Sequence, residues 1–179
     1  MIKLDMGEVE KALGYTVKRN TVSVGFDTAT RTGIAQIKTN GKSLTIEWSF
    51  LEFESKDKHA LYKNMYLAFK DILQAQDIAI IEDTFVGINP AGSLVLTRLG
   101  AFAIGLCIEK KIPWHLIRAV SARSILKIDA RRLGKGKSKE AVALWLKEKL
   151  GLKLDDPDIS DAIVLALLGV LEGIKYEKD

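Results

Sequence analysis

The first regular pattern along the chain is an alternation of apolar with small or polar residues over 22–26, typical of a half-buried strand. A second strand is predicted over 33–39. The Asn-Gly pair at 40–41 is a strong hairpin signal, and a third strand is predicted over 43–53. Three strands joined by short turns predict an antiparallel meander.

Beyond the meander, helices alternate with short apolar strands. The segment 57–74 is predicted to be an amphipathic helix. The run 78–81 is apolar without alternation, as in a strand covered on both faces. A helix, a fifth strand and three more helices are predicted over 89–110, 113–117, 121–127, 138–150 and 157–172. This order predicts an α/β fold, in which helices flank a mixed five-stranded sheet.

The chain length of 179 residues favours one domain. We expect residues 1–20 to form a small N-terminal appendage with a short helix near 7–13, and residues 21–179 to form the single domain. Cys107 is the only cysteine, so no disulfide can form within one chain. This suits a reducing compartment, and we expect a cytoplasmic protein of a bacterial or phage-infected cell. No apolar run has the length of a membrane span or resembles a signal peptide.

Positive charge is concentrated in one part of the chain. The formal net charge is +4, but residues 110–153 contain thirteen Lys and Arg and only three acids, which gives +10 for that segment alone. Such a block often contacts a polyanion, although a solvated helical face has the same composition. Charge alone leaves the two interpretations open.

Four carboxylates follow or begin predicted elements where a metal site on a sheet would need them. Asp27 ends the first strand and Glu82 ends the buried strand, so both side chains emerge at one sheet edge if these strands are parallel neighbours. Asp158 and Asp161 are spaced i, i+3 near the start of the last helix, which places them on one face.

Each carboxylate also has an ordinary structural interpretation. Asp27 is in the position of a turn residue, Glu82 could start a solvated loop, and Asp158 suits the first turn of a helix. Asp161 is different because an apolar run follows it, and an unpaired carboxylate is costly at the edge of such a helix.

A cluster of carboxylates suits phosphodiester hydrolysis, because two hard cations about 4 Å apart can activate a water and stabilise the leaving oxygen. Magnesium prefers such oxygen ligands. His59 and His115 are the only histidines, and with one cysteine they argue against a zinc site. We expect both histidines to be structural.

Four motifs in order give the chain a resemblance to the RuvC-type Holliday junction resolvases, over about 21–173. They are Gly25-Phe26-Asp27 followed by Thr32-Gly33, Ile80-Ile81-Glu82-Asp83-Thr84-Phe85, Gly136-Lys137-Ser138-Lys139 and Asp158-Ile159-Ser160-Asp161-Ala162. The resemblance implies a ribonuclease H-like fold and a homodimer that cuts four-way DNA junctions. It also implies two Mg²⁺ ions per active site, for which Mn²⁺ substitutes.

The resemblance assigns roles to the candidate residues. Asp27, Glu82, Asp158 and Asp161 would bind the metal ions, and Lys139 would contact the scissile region. Phe85 falls where the family has an aromatic residue that inserts at the junction crossover. Counting the cations of the basic segment, the predicted nucleic-acid contacts are Phe85, Arg123, Lys127, Arg131, Arg132, Lys135 and Lys137.

The chain departs from the family in two places. Thr28-Ala29 replaces the usual Pro-Gly after the first aspartate, so the turn geometry is expected to differ. The family's second basic residue after the fifth strand has two candidates here, Arg123 and Lys127. The flexible cationic segment 134–139 is predicted to lie near the scissile phosphate, although it could also be a solvated connector.

Two alternative functions stay open at this point. Another ribonuclease H-like nuclease, acting on RNA-DNA hybrids or structured RNA, would share the first aspartate and the glutamate. A non-catalytic nucleic-acid binding module would retain the basic segment but would have lost catalytic carboxylates. The presence of all four carboxylates favours a nuclease, and the paired Asp158 and Asp161 favour the resolvase.

Overall fold

The computed structural model describes residues 1–29, 31–52, 57–83 and 90–176. Within these ranges the strands are Ile2–Asp5 (β1), Val22–Asp27 (β2), Arg31–Thr39 (β3), Ser43–Glu52 (β4), Ile78–Glu82 (β5) and Trp114–Ile117 (β6). The helices are Met6–Leu13 (α1), Lys58–Ile72 (α2), Pro90–Glu109 (α3), Ala119–Ile125 (α4), Ser138–Leu150 (α5) and Ser160–Val170 (α6). A 3-10 turn, Pro157–Ile159, leads into α6.

The strands form one mixed sheet in the order β1-β4-β3-β2-β5-β6. The predicted meander is confirmed, because β2, β3 and β4 pair antiparallel in succession. β5 lies parallel to β2 on one side and to β6 on the other. The α/β fold with a mixed sheet and flanking helices is therefore as predicted, but the described part of the sheet has six strands where five were expected.

The additional strand comes from the segment that the sequence indicated as an appendage. Ile2 and Leu4 of β1 pair with Ile46 and Leu44 of β4 at the sheet edge. In and after α1, Met6, Val9 and Val17 are buried in the main core. A four-residue strand with two apolar positions gives too short a pattern for sequence to identify, and its partner supplies the missing information.

Helices cover both faces of the sheet. Helices α1, α4, α5 and α6 pack on one face, where Ile37 and Ile80 point, and α2 and α3 pack on the other, where Val24 and Ile81 point. The prediction that the apolar strand β5 is covered on both faces is confirmed, because Ala79, Ile80 and Ile81 are fully buried.

Helix α6 lies unusually close to β2. All of its residues are buried. A Cβ atom on Gly25 would overlap the carbonyl oxygen of Ala162 and lie only 2.5 Å from the backbone nitrogen of Ala166. Gly25 is therefore required for this approach. The close packing holds the first turn of α6 over the carboxyl end of β2.

The last predicted helix, 157–172, is divided in the structure. Asp156 accepts a hydrogen bond from the backbone nitrogen of Asp158 and caps the 3-10 turn, and α6 begins only at Ser160. Asp158 and Asp161 consequently lie in two successive helical segments rather than in one helix. In the ranges that the structure describes, no helix is both long enough and apolar enough to cross a membrane.

Candidate active site

Asp27 and Glu82 lie side by side at the carboxyl edge of the sheet, as their sequence positions predicted. They end the parallel neighbours β2 and β5, whose register pairs Phe26 with Ile81 just before them. Asp27 is buried, and its carboxyl group is close enough to that of Glu82 to raise the pKa of the glutamate. Two neighbouring carboxylates repel each other, so the charged form of such a pair is disfavoured.

The pKa of Glu82 is raised to about 9, first by burial and then by the interaction with Asp27 and the negative charge of Asp161. Lys139 acts in the opposite direction. Lys139 therefore does not offset the burial and the negative charge around the Asp27–Glu82 pair. Perturbation of this kind is frequent at functional sites, although structural charge networks also cause it.

Asp161 projects from the first turn of α6 toward the same edge. Arg123 of α4 donates from Nε to Oδ1 at 3.1 Å and from Nη2 to Oδ2 at 2.6 Å. Only 5% of the Asp161 side chain and 13% of the Arg123 side chain are exposed. Burial raises the pKa of Asp161 in spite of the nearby guanidinium.

Lys139 connects the two pairs of carboxylates. It lies in the first turn of α5, and its Nζ atom is 3.2 Å from Oδ2 of Asp27 and 3.6 Å from Oδ1 of Asp158. The Ser160 hydroxyl donates to the Lys139 carbonyl oxygen at 3.2 Å, which ties α5 to α6. Burial lowers the pKa of Lys139, but Asp27, with Asp161 and Asp158, outweighs that effect and raises it.

Asp158 lies at the rim of the site, with 53% of its side chain exposed. Arg31 of β3 reaches it at 3.3 Å and Asp156 at 2.7 Å. The guanidinium carbon of Arg31 also lies 3.6 Å from the centre of the Phe50 ring. Sequence reasoning missed Arg31, because no local motif indicates a contact between residues so far apart in the chain.

The structure thus brings Asp27, Glu82, Asp158, Asp161 and Lys139 to one place. Among the described residues, no three His, Cys, Asp or Glu side chains are arranged to hold a metal ion as they stand. Lys139 and Arg123 already contact three of the four carboxylates.

The residues nevertheless fit a hard divalent cation. The donor set consists of carboxylate oxygens, which magnesium and manganese prefer. The raised pKa of Glu82 marks the point where positive charge is missing.

The predicted nucleic-acid contacts fall into different environments. Phe85 lies outside the described residues, and Arg123 pairs with Asp161. Arg132 makes two hydrogen bonds to Glu148, at 2.6 and 2.9 Å. The side chains that extend into solvent are those of Lys127, Arg131, Lys135 and Lys137.

A cavity of about 590 Å³ lies between α4 and the cationic segment 134–139, and Arg123 is part of its lining. Its walls include apolar and basic side chains, among them Val120, Ile128, Arg131 and Lys135. Ser138, the first residue of α5, is also part of its lining.

The proteins that this chain resembles in sequence are RuvC proteins. No family model matches the chain. It is 33% identical over 95 residues to the crossover junction endodeoxyribonuclease RuvC of Neisseria meningitidis serogroup A, covering 52% of this chain and 50% of the relative. The chain thus spans about half the length of that relative. The RuvC of Polynucleobacter necessarius is 28% identical over 140 residues, covering 76% of this chain and 79% of the relative.

Solved structures show the same fold. Thermus thermophilus RuvC in complex with a Holliday junction substrate superposes with a TM-score of 0.64 at 15% identity, covering 82% of this chain and 90% of that chain. The yeast mitochondrial Holliday junction resolvase Ydc2 gives 0.56 at 13% identity, covering 88% and 81%. The chain is therefore a homologue of the RuvC-type Holliday junction resolvases and has their ribonuclease H-like fold.

Proposed function

We propose that the chain is a divalent-metal-dependent endonuclease that cuts four-way DNA junctions, in the cytoplasm of a bacterium or of a phage-infected cell. One observation carries the proposal: four carboxylates and a lysine from five separate elements meet at the carboxyl edge of a ribonuclease H-like sheet. The similarity to RuvC supports DNA as substrate, since one of the matching structures is bound to a Holliday junction.

In this proposal Asp27, Glu82, Asp158 and Asp161 hold Mg²⁺ or Mn²⁺, with two ions in each active site. Bound cations would activate the attacking water and neutralise charge on the phosphorane. Asp27 and Glu82 are fixed by two strands, so they supply the preorganised part of the site. Lys139 contacts Asp27 and Asp158. Once cations bind these carboxylates, the Lys139 ammonium would be free to donate to a non-bridging phosphate oxygen.

The exposed cations beside the site would hold the DNA backbone. Lys127, Arg131, Lys135 and Lys137 extend into solvent, and Arg131 and Lys135 also line the cavity beside Arg123. Four such phosphate contacts would give binding a steep salt dependence, with a logarithmic slope of roughly −4. Phosphate contacts orient the DNA but do not read its sequence, so this surface suits selection by shape.

A homodimer is part of the proposal, because paired incisions across a junction need two active sites. One face of α3 exposes a stripe with Leu94, Ala101, Gly105 and Ile108, interrupted after Leu94 by the polar Thr97 and Arg98. Leu94 is 54% exposed and Ile108 is 64% exposed. The stripe suits packing against the same helix of a second copy, since small residues let helices approach closely.

A panel of labelled substrates tests the proposal. The purified protein with Mg²⁺ is expected to cut a four-way junction symmetrically and to leave a linear duplex of the same sequence intact. The panel includes an RNA-DNA hybrid duplex and the same reactions with EDTA. Preferential cutting of the hybrid would replace the resolvase with another ribonuclease H-like nuclease. Junction binding without cutting by any metal would favour the non-catalytic module.

A further inference from the structure

Arg123 occupies both oxygens of a proposed metal ligand. Its two donated hydrogen bonds to Asp161, of 3.1 and 2.6 Å, form the planar fork in which guanidinium and carboxylate fit best. Both side chains are largely buried, so water does little to weaken the pair. Ser160, next to Asp161, donates to the Lys139 carbonyl oxygen, and the Lys139 ammonium contacts Asp27, so Asp161 lies at the same edge as the Asp27–Glu82 pair.

Among the described residues the carboxylates at this edge do not form a ready ligand set, and Arg123 holds one of them. A cation at Asp161 would have to compete with a guanidinium held on both oxygens. Lys139 is a weaker competitor, since it meets Asp27 through one ammonium contact of 3.2 Å and is itself 38% exposed. The two halves of the site are therefore unequally accessible to a metal ion.

We infer that Arg123 keeps Asp161 from binding a metal ion in the DNA-free protein and releases it when Arg123 moves to a DNA phosphate. The inference rests on the proposed function and adds to it a device that couples DNA binding to completion of the metal site. Without DNA the chain would bind one cation through Asp27 and Glu82, and the position that needs Asp161 would fill only on the DNA complex.

The cavity beside Arg123 offers its side chain a second position, in which it could bind a phosphate. Its side chain also lines the 590 Å³ cavity, whose other walls carry Arg131 and Lys135. A phosphate entering there would meet three cations, and the guanidinium fork binds phosphate as well as it binds carboxylate. Arg123 both lines this cavity and contacts Asp161, so a phosphate that binds Arg123 there would compete with the carboxylate for the same guanidinium.

Calorimetric titration of the DNA-free protein with Mn²⁺ tests the inference without measuring catalysis. Wild type is expected to bind one ion. Arg123→Gln should bind a second ion, or bind Mn²⁺ about tenfold more tightly, because the charge-assisted hydrogen bonds that compete for Asp161 are gone. Arg123→Lys should fall between the two, since a lysine contacts one oxygen at a time.

The Asp161→Asn variant gives an independent reading, because an amide keeps the shape of the carboxylate. It should leave Mn²⁺ binding to the DNA-free protein unchanged, whereas removal of an active ligand would weaken binding about tenfold or more. Weakened binding by Asp161→Asn, or equal binding by wild type and Arg123→Gln, would overturn the inference. The Asp161→Asn result stands even if Arg123→Gln does not fold.

The Asp27→Asn variant separates this inference from the proposed function. If wild type binds Mn²⁺ and Asp27→Asn does not, the metal site stands whatever Arg123 does. If folded wild type and folded Arg123→Gln both bind no Mn²⁺, the proposed metal-dependent function fails and the role of Arg123 fails with it.

Discussion

The two pairs of carboxylates in the site are held by different means. Asp27 and Glu82 end neighbouring parallel strands, so the sheet register fixes their separation, and the only cation that contacts them among the described residues is Lys139, at Asp27. Asp158 and Asp161 come from the 3-10 turn and the helix after it, and each contacts an arginine: Arg31, which Asp158 shares with Asp156, and Arg123. The strand pair is held by the backbone of the sheet, whereas the helix pair is held by arginine side chains.

The helix pair itself contains a second contrast. Arg123 makes two hydrogen bonds to Asp161, and this pair is buried. Arg31 makes one contact to Asp158, and this pair is half-exposed. Removing one partner of a buried ion pair costs much more folding stability than removing one at the surface, because the remaining charge is buried and unpaired. The difference indicates that the Asp161 side chain is held firmly in place, whereas the Asp158 side chain can change position more easily.

The largest expected effect comes from breaking the buried pair. Arg123→Gln should lower the free energy of unfolding of the metal-free protein by about 3 kcal/mol. The matched change Arg31→Gln should cost at most about 1 kcal/mol, because its pairs are near the surface. Urea denaturation with EDTA measures both. Equal losses would remove the contrast between the two arginines.

A slightly smaller effect on the free energy of unfolding is expected at the close contact between Gly25 of β2 and the backbone of α6. Gly25→Ala should cost about 2 to 3 kcal/mol, because the methyl group would collide with the backbone of α6. Gly100→Ala is the matched control, since a Cβ there meets nothing within 4 Å, Gly100 lies off the exposed stripe of α3, and alanine favours a helix. Urea denaturation should show destabilisation in the first variant alone. An unchanged Gly25→Ala midpoint would show that α6 does not depend on this approach.

The charge deficit of the strand pair predicts a dependence on pH. The pKa of Glu82 is about 9 in the folded protein, above its ordinary value, so the stability that this shift contributes is complete at low pH. It is lost as pH rises from about 4.5 to about 9, because the unfolded chain ionises Glu82 more easily.

Glu82→Gln should therefore be more stable than wild type in EDTA, by an amount that grows from pH 5 to pH 9. Urea denaturation at several pH values measures the difference. Added Mg²⁺ at pH 8 should stabilise wild type and not the variant. A difference that is constant across pH would contradict the assignment of the charge deficit to Glu82.

The smallest expected effect on folding comes from the exposed face of α3. Ile108→Glu should leave the monomer stable, because Ile108 is exposed, but should weaken dimerisation about tenfold or more through buried charge. Val120→Glu is the control, since Val120 is equally exposed on α4. Light scattering at micromolar concentration compares them. A wild-type monomer would count against paired incision.

The strand pair was predictable from sequence, and the helix pair only in part. Apolar patterns identify β2 and β5, so the positions of Asp27 and Glu82 follow from where those strands end. Asp161 was singled out because an apolar helix follows it. Its neutralisation by Arg123 was not predicted, because that contact depends on how α4 packs on α6.

Other features of the fold depend on partners that local sequence does not reveal. β1 is short and becomes a strand because β4 offers an edge. Arg31 reaches Asp158 across 127 positions of the chain. Gly25 belongs to a recognisable motif, but its reason for being glycine is visible only from the backbone of α6.

Junction cutting by wild type and Asp27→Asn across a Mg²⁺ titration tests the central claim most directly. Wild type should cut only with the metal, and Asp27→Asn should lose about a thousandfold or more in rate while its affinity for the junction stays within a few-fold of wild type. Cutting that persists in Asp27→Asn, or in wild type with EDTA, would contradict a metal-dependent site built on these carboxylates.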